Sequence, residues 1–189
     1  MMTNTAENIL PFPSVPETDL LQFIDDMPMQ SLVMSRPFFK ASIPCVPPGI
    51  NESYTIVALR GDKRRVAHTS EAKQFLDNAA LILSSMDYGE MCDWDLFHAI
   101  GRAKRNVPLS VDMTFFFEHL WKRDIDGPIK ITLDALFNHF KKVADYDAQL
   151  KWNDNRVRRL VVAKEVDVIR PRVEIEVRCL IQKTLGRAA

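Results

Sequence analysis

Between residues 110 and 142 the apolar pattern changes its period, and that change constrains the fold more than any other feature of the chain. From Ser110 to Trp121, Val111, Met113, Phe115 and Phe117 alternate with Asp112, Thr114, Phe116 and Glu118. A period of two is that of a strand with one buried face. Further on, Ile129, Leu133, Leu136, Phe137 and Phe140 recur at helical spacing, which predicts an amphipathic helix over about 127–142. Asp126 suits the N-cap of that helix, and Pro128 suits its first turn, where a missing N–H costs nothing.

Other segments complete the set. Tyr54–Leu59 and Arg64–His68 flank Arg60-Gly61-Asp62-Lys63, a hairpin signal with a basic tip. Ser70 and Glu71 open a helix whose Phe75, Ala79, Ile82, Leu83 and Met86 form one stripe, and residues 87–106 hold enough apolar side chains for a further short helix. Val157–Lys164 and Arg172–Leu180 read as strands. The expectation is a compact α+β domain over residues 36–183, a small mixed sheet of about four strands packed with two main helices. Residues 1–35 form an acidic, proline-broken extension, and 184–189 a C-terminal tail.

At the junction of the strand and the helix stands Asp124-Ile125-Asp126, with Lys130 a turn further on. Two carboxylates at i and i+2 on extended backbone point the same way. Hard cations such as Mg²⁺ take oxygen ligands and keep several waters, so a few carboxylates and a substrate phosphate can complete the shell. Asp154, placed at the start of a strand able to lie beside the first, is a third candidate. Asp-x-Asp is common, and most such pairs are solvated loop acids or caps. Lys130 either forms a surface pair with Asp134 or leans back toward the carboxylates, where it would meet a phosphate.

The residues Arg123-Asp124-Ile125-Asp126-Gly127-Pro128-Ile129-Lys130, then Asp134-Ala135-Leu136, then Asn153-Asp154 before Val157, resemble the RusA-type Holliday-junction resolvases. Pro47-Pro48-Gly49-Ile50-Asn51-Glu52-Ser53-Tyr54 and Thr69-Ser70-Glu71-Ala72 are similar to two segments of the family's N-terminal half. The resemblance covers about residues 41–180 in the family's order. Gly127 stands where the family usually has Asn, and segment 84–108 is longer than the family's connection. The resemblance implies a Mg²⁺-dependent endodeoxyribonuclease (with Mn²⁺ as a substitute ion) that resolves four-way junctions by paired nicks in recombination and repair. Asp124, Asp126 and Asp154 would be the metal-holding catalytic acids and Lys130 the basic residue assisting them, in contact with the scissile phosphate or the attacking water. It further implies a homodimer that brings the acids of both subunits to one electropositive face. The alternative is a structural protein that binds branched DNA without cutting it.

The charge is asymmetric. The 189 residues carry 25 Lys and Arg against 25 Asp and Glu. Glu7, Glu17, Asp19, Asp25 and Asp26 fall in residues 1–35, which hold no Lys or Arg, so the remainder has 25 bases against 20 acids. Clusters such as Arg60/Lys63/Arg64/Arg65, Lys104/Arg105, Lys122/Arg123 and Arg156/Arg158/Arg159 are either solvated faces or phosphate contacts. Lys63, Arg64, Arg65, Lys122, Arg123 and Arg156 are the candidate DNA contacts. Residues 17–33 present a short apolar patch among acids, either a protein-partner motif or a segment packed on the domain. A chain working as an adaptor through that patch would tolerate Asp124→Asn.

Three separated cysteines, Cys45, Cys92 and Cys179, disfavour a disulfide framework or structural zinc and fit a reducing cytoplasm; association with the nucleoid is what the resemblance implies. His119 and His139 are expected in or beside the core. No secretory leader, apolar run of membrane-spanning length, P-loop, Gly-x-Ser-x-Gly or dinucleotide-binding glycine pattern is present.

Overall fold

The computed structural model describes residues 32–58, 64–85, 92–103, 106–119, 124–144 and 152–182. Its elements are β1 (Leu32–Met34), β2 (Phe39–Ile43), α1 (Ile50–Ser53), β3 (Tyr54–Ala58), β4 (Arg64–His68), α2 (Ser70–Ser85), α3 (Trp94–Arg102), β5 (Leu109–Phe117), α4 (Asp126–Val143), β6 (Val157–Val166) and β7 (Arg172–Gln182). A 3₁₀ turn, Asp154–Arg156, leads into β6. The expected α+β architecture is present.

β5 holds the centre of a mixed sheet, parallel to β6 on one side and antiparallel to β7 on the other. β1 and β2 follow one another along the far edge of β7, Met34 opposite Leu180 and Phe39 opposite Val177. Pro37 lies in the break between them, as a residue without an N–H does in an edge strand. The sheet therefore begins inside the segment assigned to the N-terminal extension, a correction that strand pairing supplies and local composition could not. β3 and β4 pair antiparallel as a separate two-stranded sheet, as expected; the hairpin tip, residues 59–63, lies outside the described residues.

One sheet face carries the core. Leu109, Val111, Met113, Phe115 and Phe117 of β5 are at most 3% exposed, and the first four pair with Cys179, Val177, Ile175 and Val173 of β7 on the same face. Phe39, Ala41 and Ile43 of β2 extend the layer. The other face is polar. Asp112 and Glu176 lie directly opposite across β5 and β7, a like-charge pair that would repel. Arg178 bridges them, donating from Nη1 to Asp112 Oδ2 at 2.6 Å and from Nη2 to Glu176. Arg159 of β6 donates to Asp112 Oδ1 at 3.0 Å, and Lys40 of β2 lies 2.8 Å from Glu176. Five charges of alternating sign thus cross four strands.

The helices follow the predicted stripes with two differences. α2 buries Ala72, Phe75, Ala79 and Leu83, and Thr69 caps it by accepting the Ala72 N–H at 3.2 Å; Met86 lies outside the described residues. α4 buries Ile131, Thr132, Ala135, Leu136, Phe137, His139 and Phe140, while Ile129 and Leu133 are only partly buried. Its apolar band is broader and turned relative to the predicted stripe, because α4 also packs against α1 and α2. Its N-cap is Ile125, with φ −90° and ψ −20° and no side-chain cap bond, so Asp126 is the first helical residue and not the cap. No helix among the described residues is long and apolar enough to cross a membrane.

Candidate functional site

α4 brings three of the four predicted catalytic residues to one end of the domain. Asp124 and Asp126 are exposed at its start, and Lys130 is exposed one turn on, its side chain 57% accessible. β5 ends at Phe117, short of the strand expected to run to residue 121. Since Ile125 is helical, the two carboxylates are not on the extended backbone that would align them, which corrects the geometry predicted from the Asp-x-Asp spacing.

Asp134 sits one turn beyond Lys130, its Oδ1 4.0 Å from the ammonium, and the same carboxylate lies beside the Tyr54 hydroxyl. Burial first, and Asp134 second, raises the Tyr54 phenol above its ordinary value. The Tyr54 ring packs on His68, centroids 5.1 Å apart, at the base of the β3–β4 hairpin. The Pro47–Tyr54 segment packs on α4 through α1, near Asp134, a residue that sequence reasoning had only as a surface partner of Lys130. The same segment is tied to α2, because the Thr69 hydroxyl donates to the carbonyl of Glu52.

Asp154 is elsewhere. β5 and β6 are parallel and α4 returns the chain between them, so the start of β6 lies at the opposite end of the sheet from the start of α4. Leu109 faces Val157 at one end, and the Asp167 N–H donates to the Phe117 carbonyl at 2.9 Å at the other. Trp152, two residues before Asp154, packs edge-on against Phe140 with centroids 5.0 Å apart. Phe140 is fourteen residues along α4 from Asp126, which at 1.5 Å per residue is about 21 Å. The expectation that a strand opening at Asp154 and lying beside the first draws Asp154 to the other two carboxylates is thus corrected within one chain. Among the described residues no group of three or more His, Cys, Asp or Glu side chains could hold a metal ion. Asp124 and Asp126 remain compatible with Mg²⁺, which binds through one or two carboxylates when substrate phosphate and waters supply the rest.

The predicted DNA contacts divide. Arg64 and Arg65 are exposed on β4. Lys63, Lys122 and Arg123 lie outside the described residues. Arg156 is 3% exposed, its guanidinium 5.4 Å from the Trp152 ring and donating to Asn106 Oδ1 at 3.3 Å, so it braces the turn and is withdrawn from any DNA surface. His139 is 2% exposed, as expected, and burial followed by Lys142 lowers its pKa to about 4, whereas His119, expected in or beside the core, is exposed just past the end of β5. No protein-family model and no curated protein matches the chain.

Proposed function

We propose that the chain is a Mg²⁺-dependent, structure-selective endodeoxyribonuclease that resolves four-way DNA junctions by paired nicks, acting at the nucleoid in recombination and repair. The observation that carries the reading is the gathering of exposed Asp124, Asp126 and Lys130 at the start of one helix, Asp124 just before it and the other two in its first turns. The N-terminus of that helix offers unpaired N–H groups and the positive end of its dipole to a phosphate. A cation held by Asp124 and Asp126 would supply an activated water and offset charge on the leaving oxygen. Lys130 binds the phosphate near the point of cleavage, and Arg64 and Arg65 hold a neighbouring stretch of backbone in salt-sensitive contact.

The remoteness of Asp154 in one chain favours a second reading, a protein that binds branched DNA without cutting it. One experiment separates the two. A labelled four-way junction and a linear duplex are incubated with the protein in Mg²⁺ or EDTA, beside Asp126→Asn. Paired nicks in the junction alone, lost with EDTA and with the substitution, support the nuclease; retention of the junction without nicks supports the second reading.

A further inference from the structure

We propose that the acidic segment around residues 19–25 docks on its own chain as a further strand, antiparallel to β6 along the outer edge of the sheet. The inference stands on the sheet and the charge pattern, whether or not the protein cuts DNA. Among the described residues β6 pairs only with β5, which leaves its outer backbone groups open along a ten-residue strand. Leu160, Val161 and Val166 on it are 40%, 38% and 50% exposed, and Val162 is only partly buried against the core. Long apolar edges invite a further strand unless something covers them. This edge is also basic: Arg158 is exposed, and the Lys164 ammonium stands over the Phe117 ring, 5.3 Å from its centroid. Its occupant should be extended, apolar at alternate positions and acidic at both ends.

The chain carries such a segment outside the described residues. Asp19, Leu21, Phe23 and Asp25 recur with a period of two. With Leu21 opposite Val162 in antiparallel pairing, Phe23 meets Leu160, Asp19 meets Lys164 and Asp25 falls beside Arg158. Apolar and opposite-charge pairs of this kind fix register across strands. The pattern reads equally well in parallel, with Asp25 at Lys164, so the tether decides the direction. Leu32 pairs with Gln182, three residues past Cys179, which stands opposite Leu109 and, through it, Val157. The N-terminal segment therefore leaves the sheet at the end where β6 begins. Leu32 lies seven residues past Asp25, a reach of about 24 Å when extended. Four strand spacings place the open edge of β6 about 19 Å to the side, and the remainder covers the offset of three residues along the strands. That reach brings Asp25 to Arg158 at the start of β6 and falls short of Lys164 near its end. The added strand is antiparallel.

Amide hydrogen exchange in the full-length protein, followed residue by residue, tests the docking. Alternate amides of β6 point toward β5 and the others point away. In the wild type both sets are protected, and Phe23→Asp speeds exchange of the outward set by about tenfold or more. The set facing β5 stays slow in both proteins, which shows that the variant is folded. Asp19→Lys also releases the outward set, and combining it with Lys164→Asp restores the protection. Outward amides that exchange freely in the wild type overturn the proposal. Protection lost on dilution assigns the edge to a second copy, and protection that survives Phe23→Asp assigns it to another segment; either result overturns the docking. A charge swap that restores nothing overturns the pairing of Asp19 with Lys164 and the register built on it.

Discussion

Phe97 of α3 lies flat on Trp152, ring centroids 4.4 Å apart and planes within 7°. Phe140 of α4 meets the same indole edge-on, and Phe38 approaches it at 6.2 Å. Trp152 is fully buried by these rings, and it anchors the turn that carries Asp154 and Arg156. The long connection from α2 to β5 thereby shapes the core, because the α3 it carries closes the end of the aromatic cluster beneath that turn.

Trp152→Ala empties the centre of this cluster and is expected to cost about 3–5 kcal/mol, read by urea unfolding at neutral pH. Trp152→Phe keeps a ring against Phe97 and Phe140 and loses markedly less. Equal losses for the two variants would contradict the packing account.

Asp112 separates two guanidinium groups on the polar sheet face. Asp112→Ala leaves Arg159 and Arg178 facing each other and is expected to lower stability by roughly 1–3 kcal/mol. Part of the loss is electrostatic repulsion and shrinks as salt screens it. Unfolding curves at low and at molar salt check both the sign and the salt response.

His139 is held neutral, its pKa lowered to about 4 by burial and then by Lys142, against an unfolded value of about 6.5. Between those values the unfolded chain binds the proton more readily, so stability is fully present above about pH 6.5 and falls as pH drops toward 4. Denaturation midpoints across that range should fall more steeply in the wild type than in His139→Phe. Parallel slopes would exclude His139 as the source.

Two of the three thiols, Cys92 and Cys179, are buried and the third, Cys45, is half-buried. Cys92 is pushed up to about 12 by desolvation and then by Asp93, and burial also raises Cys45 and Cys179. Thiolates react and thiols do not. The native protein should therefore label slowly with a disulfide reagent at neutral pH and take up three equivalents promptly in denaturant. Rapid labelling of Cys92 in the native state would contradict its burial.

Lys130 contributes little to the fold, because its pair with Asp134 is long and exposed. Lys130→Ala should leave the unfolding midpoint within error while reducing junction cleavage roughly a hundredfold. Lys130→Arg should recover part of the loss. A variant that cuts normally removes Lys130 from the chemistry.

Much of this fold is written in short-range pattern. The alternation around Val111, Met113 and Phe115 marks the central strand, and Thr69 before Ser70 and Glu71 marks the start of α2. β1 and β2 escaped notice because they are short edge pieces around Pro37, defined by hydrogen bonds to β7 some 140 residues away. The burial of Arg156 escaped it too, since a charged residue beside Asp154 and Arg158 reads as surface until Trp152 and Asn106 are seen around its guanidinium.

By itself the sequence determined the longer strands and helices, from β3 to β7, and that Asp124, Asp126 and Lys130 stand where a strand gives way to a helix. Periodicity and side-chain chemistry act over a few residues and survive in one dimension. Only the tertiary structure decided that β6 runs parallel to β5, and hence that Asp154 stands at the other end of α4 from Asp126. Strand direction is set by which faces bury together once the whole sheet assembles, and spacing along the chain carries no record of it.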